Sequence, residues 1–240
     1  VADQHLVELC LIGQAVKSLG ADRVTAVIPW MGYSKQDKAF RRGEAVSAEL
    51  VAKFIEVAGF DDVITVELHS ENVIPFFRIP VTELSTRELL GFSLKRRGLL
   101  RLESTIVVSP DTGGKSRSAR FAKTVGLPIV YLEKDRDKVT GKVTVTGVSG
   151  DVSGRDVVIF DDIINTGATA IKTSQFLKSH GARRIFFLAT HAVLAGDASV
   201  KLAASPIDKI VVTDTIVVPK EKRFGKLSIV SVAPLLADAL

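Results

Sequence analysis

The stretch of sequence that decides the fold runs from Val157 to Thr169 and reads Val-Val-Ile-Phe-Asp-Asp-Ile-Ile-Asn-Thr-Gly-Ala-Thr. Its first residues, 157–160, are apolar without alternation, which is typical of a strand covered on both faces in a parallel sheet. Asp161 and Asp162 follow at the carboxyl end of that strand, where open parallel sheets bind their ligands. Two adjacent carboxylates need a cation, ligand hydroxyls or hydrogen-bond donors beside them.

A short polar loop connects this strand to a helix predicted over 168–179. The loop and the helix start consist of Asn165, Thr166, Gly167, Ala168 and Thr169. These residues supply two hydroxyls, a glycine that permits close approach, and the N–H groups of a helix amino terminus, which attract anions. Together they favour a phosphate site over the alternative reading, an acidic turn with a threonine cap.

Helical and strand patterns alternate along the rest of the chain. Helix–strand pairs are predicted at 4–19 and 24–28, 48–58 and 63–68, 86–94 and 105–108, 117–125 and 128–132, and 168–179 and 185–189. This alternation predicts an α/β fold with doubly wound parallel sheets and functional loops after the strands. Between Tyr131 and Ser149, alternating Val and Thr around 140–142 predict an antiparallel hairpin.

Composition limits the functional classes. No apolar run in the 240 residues approaches the roughly 18 residues needed to cross a bilayer, so we expect no membrane association. The single cysteine, Cys10, cannot form an internal disulfide and fits a cytoplasmic protein. The net charge of +5 is compatible with anionic substrates. The basic cluster at 95–97 with Arg101 has too few interleaved aromatic residues to indicate nucleic-acid binding.

Five separated motifs point to one family. They are Gly32-Tyr33-Ser34-Lys35-Gln36-Asp37 with Gly43-Glu44, then Thr65-Val66-Glu67-Leu68-His69-Ser70, Ser109-Pro110-Asp111-Thr112-Gly113-Gly114, Lys134-Asp135-Arg136, and Asp161 to Thr169. In this order they resemble ribose-phosphate pyrophosphokinase, a family of the phosphoribosyltransferase-like superfamily. Five motifs in the same order are far more specific than one loop.

The resemblance implies a fold and a domain organisation. It implies two stacked phosphoribosyltransferase-like domains, each a doubly wound parallel sheet, with the hairpin as a flap in the second. We place the domains at 1–88 and 89–240. The family has several tens of residues more at the amino end, so we expect an amino-terminally truncated chain with an incomplete first domain.

The resemblance also implies a reaction. The family transfers the diphosphoryl group of ATP to the anomeric hydroxyl of ribose 5-phosphate and so produces phosphoribosyl diphosphate and AMP for nucleotide biosynthesis. Asp161 and Asp162 would contact the ribose hydroxyls while residues 165–169 enclose the 5-phosphate. Lys134 and Arg136 would be the catalytic residues, since cationic side chains neutralise charge on transferring phosphoryl oxygens.

Nucleotide and metal contacts are implied in the same way. The resemblance assigns ATP binding to Lys35, Gln36 and His69, and magnesium binding to His69 and Asp111. Magnesium sites usually retain water and nucleotide phosphates as ligands, so one Asp and one His near ATP are sufficient. The family further implies a homo-oligomer of dimers within hexamers.

Several positions depart from the family pattern and keep other functions open. Asn165 and Glu67 replace the usual Asp, Lys35 and Lys38 replace arginines, and Asp135 interrupts the common Lys-Arg-Arg. Asn165 can form hydrogen bonds but lacks the charge of a proton-accepting carboxylate. The alternatives are a non-catalytic regulatory subunit of a phosphoribosyl diphosphate synthetase, and a phosphoribosyltransferase that shares the loop.

Overall fold

The computed structural model describes residues 2–39, 41–110, 113–136 and 143–240, without the side chains of 134–136 and 143–145. The chain forms two compact units, residues 1–85 with 234–240, and residues 86–233. The boundary between the units, at residues 85 and 86, lies between a strand that ends at Leu84 and a helix that begins at Arg87. The limits expected from the sequence, 1–88 and 89–240, differ from this division at that connection and at the carboxyl-terminal segment.

The first unit contains a parallel sheet of three strands in the order β1-β2-β3. Its elements are α1 (Ala2–Ser18), β1 (Thr25–Ile28), α2 (Ser47–Val57), β2 (Asp62–Val66), a short 3-10 helix (Glu71–Phe76) and β3 (Val81–Leu84). The central strand β2 is buried along its whole length, as expected for a strand covered on both faces. The prediction found α1, β1, α2 and β2 but not β3.

The core of the first unit forms between α1, α2 and the sheet. Gly13 is the buried residue of α1, and a Cβ placed there would lie 2.6 Å from the ring of Phe60. Ala52 and Ile55 of α2 are fully buried, as is Val63 of β2. The close approach of α1 to Phe60 therefore depends on a residue without a side chain.

The second unit contains a sheet of seven strands in the order β10-β9-β8-β7-β4-β5-β6. Its elements are α3 (Arg87–Arg96), β4 (Thr105–Ser109), α4 (Lys115–Val125), β5 (Ile129–Arg136), β6 (Val143–Val148), β7 (Asp156–Ile164), α5 (Ala168–Ser179), β8 (Arg184–Ala192), α6 (Ala198–Ala203), β9 (Lys209–Thr213), a 3-10 helix (Lys220–Lys222) and β10 (Leu227–Val230). The last helix, α7 (Ala233–Ala237), lies almost entirely in the segment 234–240 that belongs to the first unit. All strand pairs are parallel except β5–β6.

These sheets confirm the predicted α/β class with parallel strands. The antiparallel pair β5–β6 is the hairpin predicted between Tyr131 and Ser149, and its predicted turn at 140–142 lies outside the described residues. Strands β9 and β10 and helix α6 were not predicted. In the described part of the chain, no helix has the length and apolar character needed to traverse a lipid bilayer.

The strand order of the second unit reverses between β4 and β7. From β4 the chain adds β5 on one side, and from β7 it adds β8 and β9 on the other. In open α/β sheets the crevice at the carboxyl ends of two such strands is the usual ligand position, because the following loops diverge there. Residues 157–160 of β7 are fully buried below this crevice.

Candidate functional site

The carboxyl end of β7 is longer than predicted. We expected the strand to end at Phe160, but it continues to Ile164, so Asp161 and Asp162 lie within it. The extension arises because β8 pairs with β7 as far as Ala192, whereas β4 pairs with β7 only to Ile159. Asp161 and Asp162 therefore lie where β7 is paired on the β8 side and open toward the helix that follows β4.

Arg117 of helix α4 is the cation that accompanies the two carboxylates. Its Nη1 atom lies 3.0 Å from Oδ1 of Asp161 and 2.9 Å from Oδ1 of Asp162. The Arg117, Asp161 and Asp162 side chains are 14 %, 18 % and 4 % exposed, respectively. Arg117 is therefore the compensating cation that the paired acids were predicted to need. The sequence pattern predicts Arg117 only as the first residue of a helix.

The contacts of α4 with β7 hold this arrangement together. The ring of Phe121 stacks on that of Phe160, with centroids 4.6 Å apart and planes inclined by 6°. The Ser118 hydroxyl donates to the Phe160 carbonyl at 3.5 Å. The Oδ1 atom of Asp161 also accepts a hydrogen bond from the N–H of Asp162 at 2.9 Å, which orients this carboxylate along the strand.

The predicted phosphate loop follows directly. Gly167 precedes α5 in the left-handed conformation, with φ of 75°, and a Cβ at this position would lie 3.1–3.3 Å from the side chain of Leu202. The glycine is thus required for its backbone conformation as well as for space. Asn165, Thr166, Ala168 and Thr169 are all exposed. The amino terminus of α5 is accordingly open to solvent.

The segment 193–195 forms hydrogen bonds with the start of this loop. The carbonyls of Ile164 and Asn165 accept hydrogen bonds of 2.9–3.1 Å from the N–H groups of residues 193–195. Within that segment Leu194 is buried and has a positive φ of 48°, which is unusual for a residue with a side chain. Lys222 donates to the Leu194 carbonyl at 2.7 Å. Because these are contacts between distant parts of the chain, no local sequence signal reveals them.

The predicted catalytic and metal-binding positions of the second unit are described only in part. Lys134 and Arg136 lie two residues apart in β5, where their backbones pair with Val145 and Val143 of β6. Their side chains, like all of Asp111, lie outside the described residues. Their roles remain predictions.

The predicted ATP-binding residues Lys35 and Gln36 belong to the first unit. Lys35 is exposed, whereas the side-chain oxygen of Gln36 accepts from the Ser47 hydroxyl at 3.1 Å. The Gln36 carbonyl also accepts from the N–H of Ala48 at 3.2 Å. Gln36 therefore satisfies donors at the start of α2, where no side chain caps the helix at the preceding position.

His69 follows β2 in the same unit and is exposed. The Lys35–Gln36 loop is tied to the segment after His69, because Oδ2 of Asp37 accepts from the Asn72 amide at 3.1 Å. Burial alone would raise the pKa of Asp37, but hydrogen bonds from Ser70 and Asn72 outweigh it and lower the pKa below its usual value. The structure thus brings these two predicted ATP-binding segments together.

Magnesium binding by His69 and Asp111 stays a prediction. Within the described ranges, no three His, Cys, Asp or Glu side chains form a group that could enclose a metal ion. Protein-bound magnesium commonly uses one or two carboxylates and takes its other ligands from water and substrate phosphates. Of the two predicted magnesium ligands, His69 is exposed and Asp111 lies outside the described residues.

The fold and this site define an α/β protein with a polar crevice at the carboxyl edge of its larger sheet. Two family models match the chain: the N-terminal domain of ribose phosphate pyrophosphokinase over residues 1–59, and the phosphoribosyl synthetase-associated domain over residues 134–240. The ribose-phosphate pyrophosphokinase of Ralstonia nicotianae is 39% identical over 238 residues, which are 98% of this chain and 74% of the relative. That of Aquifex aeolicus is 40% identical, over 99% of this chain and 75% of the relative.

The structural comparison agrees. The crystal structure of phosphoribosylpyrophosphate synthetase from Mycobacterium smegmatis matches with a TM-score of 0.90 and 33% identity, over 99% of this chain and 76% of that one. The chain belongs to the ribose-phosphate pyrophosphokinase family. The resemblance found in the five motifs and the fold class it implied are confirmed.

Proposed function

We propose that this protein transfers the diphosphoryl group of ATP to the anomeric hydroxyl of ribose 5-phosphate. We further propose that the crevice at the carboxyl ends of β4 and β7 holds the sugar phosphate. The activity is that of the family to which the chain belongs. One observation supports the crevice in particular. Two carboxylates and an exposed helix amino terminus lie within the segment 161–169, at the point where the strand order reverses.

The 5-phosphate would bind at residues 165–169. The first N–H groups of a helix have no partners within the helix, and no side chain caps α5 at Gly167. The helix dipole adds partial positive charge at the same end. The exposed hydroxyls of Thr166 and Thr169 are further donors to phosphate oxygens.

The ribose hydroxyls would donate to Asp161 and Asp162. Ionised carboxylates are strong acceptors for hydroxyl groups, and hydrogen bonds to them are stronger than neutral ones. Asp161 is the more accessible of the two acids. A sugar held at both ends in this way has its anomeric hydroxyl fixed for attack.

In the transfer step, the anomeric oxygen would bond to the β-phosphorus of ATP and give up its proton to solvent, while the bond from that phosphorus to the α–β bridging oxygen breaks. AMP then leaves with that oxygen. Lys134, as a compact point charge, and Arg136, as a planar hydrogen-bond donor, would neutralise negative charge on the phosphoryl oxygens being transferred. Lys35, Gln36 and His69 would bind ATP, with His69 and Asp111 near magnesium, which when bound would neutralise phosphate charge.

We extend the proposal to assembly and location: the protein forms a homo-oligomer of dimers within hexamers, as the family does, in the cytoplasm. The family resemblance supports the oligomeric assembly, and the single cysteine fits a cytoplasmic location. Several apolar side chains of α1 and α2 are also exposed, among them Leu11 at 64% and Phe54 at 47%. Exposed apolar surface of this kind is usually covered by further protein.

Product analysis tests the proposed activity. With ATP, magnesium and ribose 5-phosphate, we expect the protein to release AMP and phosphoribosyl diphosphate. Lys134→Ala should lower kcat by on the order of 100-fold, because a charge that stabilises the transferring group is removed. The exposed Lys123→Ala of α4 is the matched control and should retain activity. Absence of AMP, or full activity in Lys134→Ala, would contradict the proposal.

Asn165 favours a second candidate, a regulatory subunit that binds the ligands without turnover. An amide at this position can enclose phosphate but cannot act as a carboxylate base. Stabilisation by ribose 5-phosphate and ATP without AMP formation would favour the subunit over the enzyme. Diphosphate release from phosphoribosyl diphosphate and a free base would instead indicate a phosphoribosyltransferase.

A further inference from the structure

A single nitrogen of Arg117 connects the two acids of the crevice. Its Nη1 atom is within hydrogen-bonding distance of one oxygen of Asp161 and one oxygen of Asp162, at 3.0 and 2.9 Å. The three side chains come from both sides of the reversal of strand order, since Arg117 lies on α4, the helix after β4, and the acids lie on β7. The contact thus spans the crevice in which the ligand is proposed to bind.

The electrostatics require such a group. Asp161 and Asp162 are adjacent and largely buried, so their negative charges would repel one another strongly in surroundings of low dielectric constant. A guanidinium shared between them offsets this repulsion and donates charge-assisted hydrogen bonds to both. Without it, we expect the carboxylates to turn apart, and this change moves acceptors away from the ligand hydroxyls.

Arg117 is itself fixed in place. The next residue, Ser118, donates to the Phe160 carbonyl, and Phe121 of the same helix stacks on the Phe160 ring. Phe160 immediately precedes the two acids. The helix that carries the guanidinium is therefore attached to the same strand as the carboxylates, at adjoining positions, which limits their relative movement.

We propose that Arg117 is a positioning residue for ribose recognition: it holds Asp161 and Asp162 in the orientation in which they accept the ribose hydroxyls. This inference rests on the proposed function, because it concerns the same crevice. Loss of Arg117 weakens binding of ribose 5-phosphate through the carboxylates, whereas a purely structural ion pair would affect stability alone.

The experiment measures ribose 5-phosphate affinity and the KM for ATP in the full chain, alongside the melting temperature. Arg117→Gln should raise the Kd for ribose 5-phosphate about tenfold, the effect of about one lost charge-assisted contact. Its KM for ATP should change by less than about twofold. Arg120→Gln is the matched control, since Arg120 lies on the same helix, is exposed and donates to Ser116. It should leave both values unchanged.

Two further variants keep the inference testable if Arg117→Gln folds poorly. Arg117→Lys retains the charge but has a shorter reach and no planar fork, so its Kd should rise about threefold above that of Arg120→Lys. An unchanged Kd in Arg117→Gln or Arg117→Lys, or a fall in melting temperature with unchanged Kd, overturns the role of Arg117. Failure of the wild-type protein to bind ribose 5-phosphate would instead overturn the proposed function itself.

Discussion

At the scale of single residues, Asp156 at the start of β7 shows how a buried charge is tolerated in the sheet. Its carboxylate is fully buried and accepts bidentate hydrogen bonds from both Arg183 and Arg184, at 2.5–3.1 Å. Burial alone would raise the pKa of Asp156, but these hydrogen bonds and charges lower it to about 2. The ionised form is therefore favoured in the folded protein.

The low pKa of Asp156 predicts a pH-dependent contribution to stability. Because the folded pKa lies below the unfolded value of 3.8, this contribution is present above about pH 4 and is lost as the pH falls toward 2. Asp156→Asn should lower the free energy of unfolding at pH 7 by about 2 kcal/mol, since it removes charged hydrogen bonds. Denaturation at pH 7 and pH 3 measures the difference between wild type and variant.

That difference should be smaller at pH 3 than at pH 7. Asp197→Asn serves as the control, because Asp197 pairs with Lys201 on the helix surface and both side chains are exposed. An equal loss of stability at the two pH values would show that the ionised carboxylate is not the stabilising form.

At the scale of secondary structure elements, the β7–α5 connection is shaped by tertiary contacts on two sides. On one side the carbonyls at 164 and 165 are bonded to residues 193–195, which Lys222 anchors in turn. On the other, Gly167 packs closely against Leu202 of α6. A loop supported in this way is preorganised, so less ordering is needed when an anion binds.

Gly167→Ala tests this arrangement. The substitution places a side chain at a positive φ and forces contact with Leu202, so we expect a loss of stability of about 1–2 kcal/mol and weaker ribose 5-phosphate binding. Gly154→Ala is the matched control, because Gly154 has a similar φ of 67° but a Cβ there meets no atom within 4 Å. Chemical denaturation of both variants separates the cost of the backbone conformation from that of the contact.

Gly167→Ala should be the more destabilising of the two, and it alone should weaken binding. Equal losses in the two variants would show that Leu202 adjusts freely and that only the backbone conformation matters.

At the scale of the whole molecule, the residues proposed to bind ribose 5-phosphate and those proposed to bind ATP belong to different units. The second unit contains the crevice of Asp161, Asp162 and Arg117, whereas the first contains Lys35, Gln36 and His69. If the units bind different substrates, each ligand should first stabilise its own unit. Ligand-linked stabilisation is therefore a test of the assignment.

Hydrogen exchange with each ligand alone makes this test. Ribose 5-phosphate at about 100 times its Kd should stabilise the structure that binds it by about 2.7 kcal/mol. We expect slower exchange at 161–169 and 193–195 with ribose 5-phosphate, and at 33–37 and 69–72 with ATP and magnesium. Inorganic phosphate at the same concentration is the control for ionic effects. Protection by ribose 5-phosphate confined to the first unit would contradict the assignment.

Features that depend on local pattern and on recognisable motifs could be predicted from the amino-acid sequence. Apolar runs and helical spacing located most of the strands and helices, since burial periodicity is written into consecutive residues. The motif from Asp161 to Thr169 indicated paired acids followed by an anion-binding helix start. The order of the five motifs indicated the family, which the comparisons confirm.

Contacts between residues far apart in the chain could not be predicted in this way and became visible in the folded protein. The extension of β7 past Phe160 depends on pairing with β8, and the support of the loop depends on residues 193–195 and Lys222. Arg117 lies 44 positions before Asp161. In the sequence it is one of 32 lysine and arginine residues, and nothing local distinguishes it from the others. The physical reason is that the strand order, which no local pattern specifies, places β4 beside β7 and so brings this guanidinium to the two carboxylates.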